Sequence, residues 1–220
     1  MNEKKNGLAL TLVSTIAIIV LVVGLFVYTM TQPRIMNVKE LVNNGAITFE
    51  EPVPILPFNL LDQQANAFSQ EQFQDQWTLL FFGFSHCGGF CPTTLAMLDQ
   101  LVDQLEADVA EQTQVVMVSV DPERDTPERL AEYMGNFDPA FIGVTGDYPS
   151  IRLLSEQFYI AIQQADKVNE GEHYDVAHGE QIVLINPDGK YHGFFKPPFS
   201  LGRLKTTYQS IVISYRRQHN

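Results

Sequence analysis

The longest uninterrupted apolar run, Gly7 to Met30 ("GLALTLVSTIAIIVLVVGLFVYTM"), carries no charge and shows no polar stripe. A bilayer-spanning helix needs about 20 such residues, so the run predicts a single transmembrane helix over 7–30. A cleaved signal peptide has a shorter apolar region of about 7–15 residues ending in small residues, and "YTMTQP" offers no such site, so the expected span is an uncleaved anchor. Further on, the pattern alternates between elements. "WTLLFFGF" (Trp77 to Phe84) is a nearly continuous apolar run of strand length, as for a strand covered on both faces. Leu95, Leu98, Leu101, Val102 and Leu105 recur at helical spacing, and "QVVMVSV" (Gln114 to Val120) predicts a second buried strand, completing a βαβ unit. In "DPERDTPERLAEYM", Asp125 or Thr126 can cap a helix with Pro127 and Glu128 in its first turn. "FIGVTGD" predicts a short strand or turn, and "YPSIRLLSEQFYI" a helix. "EQIVLINPDGKYHGFF" predicts a hairpin around "NPDG", with Pro187 preset for the second turn position. A last helix runs from Leu201 to about Arg216.

Two parallel strands joined by a helix, then a helix and an antiparallel hairpin, make a thioredoxin-like α/β fold the simplest arrangement: a central mixed sheet flanked by helices. The predicted organisation is a cytoplasmic N-terminus at 1–6, the anchor at 7–30, a polar, proline-containing tether at 31–54, one domain at 55–216 and a tail at 217–220. The chain of 220 residues has a net charge of −12. Most of that excess lies beyond the anchor, which argues against nucleic acid and anionic lipid as partners and leaves a basic protein patch as a fitting one. Lys4 and Lys5 precede the span and Arg34 and Lys39 follow further out, a slight preference for a cytoplasmic N-terminus. No Arg-rich, acid-poor transit peptide comes first, which fits a bacterial protein.

The chain has two cysteines, Cys87 and Cys91, in "FFGFSHCGGFCPTTL". Pro92 suits the first position of a helix, which predicts Cys91 as its N-cap and Cys87 on the loop before it. Both sulfurs then lie near a helix N-terminus, where the macrodipole and free amides stabilise a thiolate. Gly88 and Gly89 let the loop fold back so that the sulfurs converge. Such a pair can form a reversible disulfide or share a soft metal ion, and spacing alone does not choose. A purely structural disulfide is disfavoured, because so short a loop constrains the unfolded chain least.

The sequence resembles the Sco/SenC family of membrane-anchored, thioredoxin-fold copper proteins involved in assembling the CuA centre of cytochrome c oxidase. The resemblance runs over roughly Phe58 to Tyr215. It rests on "FFGFSHCGGFCP" against the family's FGFTHCxxxCP, "VSVDPERDTPERL" against its S-[IV]-DPxRDT segment, "FIGVTGD", and "VAHGEQIVLINPDGKY" against its VDHxxxxYLxxPDG hairpin. It implies Cys87, Cys91 and His178 as copper ligands, the CuA-bearing oxidase subunit as partner, and a domain on the periplasmic side of the bacterial cytoplasmic membrane. A periplasmic copper donor and thiol reductant are implied with it. The sequence departs from the family pattern in two places: the spacer aspartate is absent from Gly88-Gly89-Phe90, and the aspartate before the histidine is Ala177. Neither is a direct ligand, so copper binding survives while redox poise or docking can differ.

Two thiolates suit Cu(I), and an added imidazole lets the same set keep Cu(II). Zinc would want a fourth protein ligand that the sequence does not identify. A second reading makes Cys87 and Cys91 the redox pair of a thiol-disulfide reductase acting on partner cysteines, the CuA cysteines among them. A third, a thiol peroxidase or redox sensor, is disfavoured because "FGFSHC" lacks the PxxxTxxC setting. Of the remaining histidines, His86 is expected to pack at a strand end beside Cys87 and His173 to be solvated, while His192 and His219 have no assigned role. Asp121 is expected to brace the Pro122 turn or the site loop. Met97 and Met117 fall at core positions.

Overall fold

The structure, a computed structural model, describes residues 2–31, 34–163 and 179–219, with side chains of the first helix described from 12 to 27. It divides into two compact units, Met1–Ile35 and Met36–Asn220. The first contains helix α1 (Asn2–Thr31), whose apolar side chains from Leu12 to Val27 are exposed. Among the described residues no helix is long and apolar enough to cross a membrane.

The second unit is built on one mixed sheet. Strand β4 (Trp77–Gly83) is buried at every position, and β5 (Thr113–Ser119) at all but its first. They pair in parallel, joined through α3 (Phe90–Gln104) and the short α4 (Ala107–Ala110), and β6 (Ile142–Thr145) adds a third parallel strand. On the other side of β4 the hairpin β7 (Ile182–Ile185) and β8 (Lys190–Phe195) pairs antiparallel. Its turn is closed by Asn186 N donating to Lys190 O at 3.0 Å, with Gly189 at φ +69°, a left-handed position that suits glycine. With β1 (Ala46–Pro54), β2 (Leu60–Asp62) and β3 (Ala67–Phe68) the order is β1-β8-β7-β4-β5-β6-β2-β3. Helix α5 (Pro127–Met134) buries Leu130 and Met134, α6 (Tyr148–Gln157) buries Ile151 and Leu154, and α7 (Leu201–His219) buries Leu204, Tyr208, Ile211 and Val212.

Three expectations are corrected. The stretch 31–54, expected to be a tether, belongs from Met36 onward to the compact unit. Helix α2 (Val38–Asn43) is closed by an Asn37/Glu40 capping box, and β1 pairs with β8. Pro52 and Pro54 are strand breakers in a sheet centre but are tolerated on an edge strand, which β1 is. At the other end α7 continues to His219, through most of the stretch expected to be a tail. Finally, α3 begins at Phe90 with Gly89 as its N-cap, so Cys91 lies inside the first turn. Pro92 is accommodated there because the first four amides of a helix have no intrahelical partner to lose.

Candidate metal centre

Strand β4 delivers the chain to the cysteine loop at its carboxyl end. Neither cysteine is in a disulfide; Cys91 is buried and Cys87 half-buried. The Cys91 amide donates to Cys87 Sγ at 3.3 Å, a backbone N–H at a helix start aimed at sulfur. The last residue of β4 makes the space behind them: a Cβ on Gly83 would meet Cys91 Sγ and Phe81 Cε2, each at 2.9 Å.

The loop is tied to the neighbouring strand by Asp125, which is fully buried. Its carboxylate accepts Ser85 N at 2.9 Å, Ser85 Oγ at 2.5 Å and Ser119 Oγ at 2.6 Å. A carboxylate so deep is stable only with such donors. Ser119 is the last residue of β5, so Asp125 joins the rim of β5 to the residue two before Cys87. Arg129 Nε adds a bond to Ser85 Oγ at 3.3 Å. His86 Nδ1 sits 3.0 Å from Ser85 Oγ and 3.8 Å from Asp125 Oδ1; expected to pack at the strand end, it is instead exposed on the loop beyond β4, held by its ring nitrogen. Asp121 is buried and ion-paired with Arg124, and its backbone oxygen accepts Asp125 N at 2.9 Å. It braces the turn behind Asp125. Thr126, not Asp125, caps α5, its hydroxyl accepting Arg129 N at 3.3 Å.

Tyr133 lies on α5, one turn beyond Arg129. Its hydroxyl is buried and has no hydrogen-bond partner among the described residues. Burial, then the charges of Cys91 and Cys87, then Asp125, hold this phenol well above its ordinary range. It therefore remains a protonated donor.

His178 and His173 lie outside the described residues, and among the described residues no cluster of three His, Cys, Asp or Glu forms a metal site. Val183 pairs with Leu80 in antiparallel register, so β7 begins beside the carboxyl half of β4, towards the end that leads to the cysteines. His192 and His219 are remote from it. His192 packs edge-on against Trp77, at the opposite end of β4, with ring centroids 5.2 Å apart, and His219 stacks on Tyr215 at 4.0 Å. Burial, assisted by the charge of His219, pushes the His192 imidazole down to about 4. Met117 is in the core and Met97 packs against it.

The sequence pattern missed Ser85, Asp125, Arg129 and Tyr133 as parts of the centre. The four-residue spacing from Arg129 to Tyr133 was visible, as was the adjacency of two capping residues, Asp125 and Thr126, of which one had to serve elsewhere.

Comparison with known proteins agrees with this geometry. The family model described as SCO1/SenC matches residues 50–212. A Stutzerimonas stutzeri protein described as copper-binding is 36% identical over 167 residues, covering 76% of this chain and 80% of its own length. The human mitochondrial SCO2 homolog is 34% identical over 160 residues, 72% of this chain; the match spans 60% of that longer protein. Among solved structures, yeast Sco1 with copper bound superposes with a TM-score of 0.68 at 26% identity, covering 75% of this chain and 90% of that one. Arabidopsis thaliana ScoI with copper bound gives 0.65 at 27% identity, covering 74% and 98%. The sheet and these likenesses together establish a thioredoxin-like fold, and the chain belongs to the SCO1/SenC family.

Proposed function

We propose that the protein binds one copper ion through Cys87, Cys91 and His178 and passes it to the CuA-bearing subunit of cytochrome c oxidase. The observation that carries this reading is the convergence of Cys87 and Cys91 at the start of α3, with the Cys91 amide on Cys87 Sγ. Soft thiolates select Cu(I), and an imidazole entering beside β7 would extend the set to Cu(II). Cys87 is the more exposed sulfur and is the one an incoming ligand reaches, so copper leaves by stepwise ligand exchange at Cys87 without net electron transfer. The uncharged apolar sequence 7–30 supports a single-pass anchor in the bacterial cytoplasmic membrane, with the copper domain on the periplasmic side. A periplasmic thiol reductant and a copper donor complete the expected partners.

The test is anaerobic copper titration of the reduced protein. Cys87→Ser and Cys91→Ser should each abolish tight binding, and undiminished stoichiometry in either would refute the ligand set. His178→Ala should spare much of the Cu(I) affinity and shorten the lifetime of the sulfur-to-Cu(II) absorption. A long-lived wild-type spectrum in that variant would remove His178 from the set.

The unequal exposure of the sulfurs favours a second reading, thiol-disulfide reduction. Cys87 thiolate attacks a partner disulfide, forming a mixed disulfide and releasing one partner thiolate. Cys91 thiolate then attacks Cys87, releasing the second and leaving the Cys87–Cys91 disulfide: two electrons pass to the partner.

A further inference from the structure

At the end of β4 away from the cysteines, α2, β1, the β7–β8 turn and α7 line a cavity of about 820 Å³, a size common among small-molecule sites. One wall is fastened to another, since Met36 N donates to Ser210 Oγ at 2.6 Å and so ties the segment entering α2 to α7. Asn186 lines the cavity and is wholly buried. Its Oδ1 accepts Lys190 N at 3.0 Å, which fixes the sense of the side-chain amide and leaves Nδ2 as the donor end. That nitrogen is buried and has no partner among the described residues. His192, two residues beyond Lys190 on β8, also lines the cavity, and its Nδ1 is buried and likewise unpartnered among the described residues. Buried polar groups are normally hydrogen-bonded, so two unspent nitrogens on one cavity call for an occupant.

The lining narrows the kind of molecule. Among the described residues no three His, Cys, Asp or Glu side chains converge as a metal site, so a metal ion does not fit. The charged side chains of the lining are Glu50, Asp188 and Lys190, an acidic balance that disfavours an anion, and burial keeps His192 neutral. Tyr215 supplies a flat aromatic surface, edge-on to His192 with ring centroids 5.9 Å apart and stacked on His219 at 4.0 Å. We propose that this cavity is a binding site for a small, neutral, planar molecule carrying a carbonyl oxygen. Asn186 Nδ2 donates to that oxygen, His192 Nδ1 bonds a second polar atom, and the ring lies against the aromatic wall. The site is separate from the cysteines and does not depend on the copper-delivery reading.

The measurement is an NMR titration of the full-length, isotope-labelled protein in lipid nanodiscs with coumarin and, separately, with caffeine, both neutral, planar and carbonyl-bearing. Saturable movement of the Asn186 side-chain NH2 signals and the His192 ring signals is expected with at least one of them. Asn186→Asp keeps an Oδ1 for the Lys190 amide but has no NH2 to donate, and should weaken binding about tenfold, read at the His192 ring. The Lys190 amide signal reports whether the turn is intact in that variant. Ser214→Phe, at a half-buried lining position on α7, fills the cavity while leaving both nitrogens in place, and should abolish binding. If Asn186→Asp loses the turn, the Ser214→Phe result decides. Asn186 and His192 signals that stay still with both probes overturn the proposal and leave the cavity to ordered water. Binding at wild-type strength in Ser214→Phe, or in a folded Asn186→Asp, overturns it as well, because the probes would then sit elsewhere or without the amide.

Discussion

Replacing Asp125 should cost the fold more than any other single change near the cysteines, and the loss should reach Cys87. The carboxylate is wholly buried and holds three donors on two separate segments, the loop after β4 and the end of β5. In Asp125→Ala the hydroxyl of Ser85 keeps neighbours in Arg129 Nε and His86 Nδ1. The Ser85 amide and the Ser119 hydroxyl proton are stranded. A stranded buried donor costs about 1–3 kcal/mol, so two of them together with the methylene cavity give about 3–5 kcal/mol. That is a large part of the roughly 5–15 kcal/mol typical of a domain. Asp125→Asn keeps the shape and one oxygen to accept from both Ser85 N–H and Ser119 Oγ, and should cost about 1–2 kcal/mol, since the Ser85 hydroxyl can turn to accept from the new amide. The assay is denaturant unfolding of the reduced protein alongside the rate of Cys87 alkylation, which should rise as the loop loosens. If Asp125→Ala unfolds within about 1 kcal/mol of wild type and Cys87 alkylates at the wild-type rate, the clamp is refuted.

Gly83→Ala should destabilise the protein by about 1–3 kcal/mol through overpacking. Its new methyl would meet Cys91 Sγ and Phe81 at 2.9 Å; unchanged unfolding and copper stoichiometry would show that the core yields there. His192, held down to about 4 by burial, is neutral when folded and binds a proton when unfolded between about pH 4 and its unfolded value near 6.5. Its contribution is therefore fully present above 6.5, falls as pH drops through that window by roughly 2–3 kcal/mol, and levels off below 4. His192→Phe should flatten this part of the stability–pH curve, and an unaltered slope would contradict the assignment. Cys91→Ser should accumulate a mixed disulfide with a model disulfide substrate at Cys87, whereas Cys87→Ser should accumulate little at the buried Cys91; mass spectrometry of the trapped species decides it.

The elements around the centre were legible wherever a run of residues faces one environment. β4 and β5 are covered on both faces and so appear as unbroken apolar stretches, and the turn residues of "NPDG" announce the hairpin without help from the rest of the chain. The edge strand β1 was not legible. Its residues are mostly half-exposed, and its prolines carry the signature of a linker, so only the partner β8, more than 130 residues later, turns it into a strand. The cysteines and their helix were visible from Cys87, Cys91 and Pro92, but the helix start was displaced by two residues because a proline is accepted throughout the first turn. Asp125 shows the deeper limit. Beside Thr126 it looks like a capping residue, and its true partner, Ser85, is 40 residues away. Local pattern identifies groups with unspent hydrogen-bonding capacity; tertiary contact alone says where it is spent.

The unequal placement of the two sulfurs bears on how one centre can serve both copper transfer and thiol exchange. In either chemistry the incoming group meets Cys87 first, because Cys91 is closed off by β4 and by the core around α3. On the copper-delivery reading proposed above, the partner's ligand would replace Cys87 while Cys91 still held the ion, keeping copper from solvent. In disulfide reduction the partner's sulfur is bonded to Cys87 while Cys91 waits behind it, four residues away on a rigid first turn, and resolves the adduct intramolecularly. What separates the two outcomes is then not the cysteines themselves but whatever biases them between metal-bound, reduced and disulfide forms. In this structure the Cys91 amide donates to Cys87 Sγ, while the Asp125 clamp fixes where Cys87 stands. Selection for one chemistry over the other would act on those groups while leaving the CxxxC spacing unchanged.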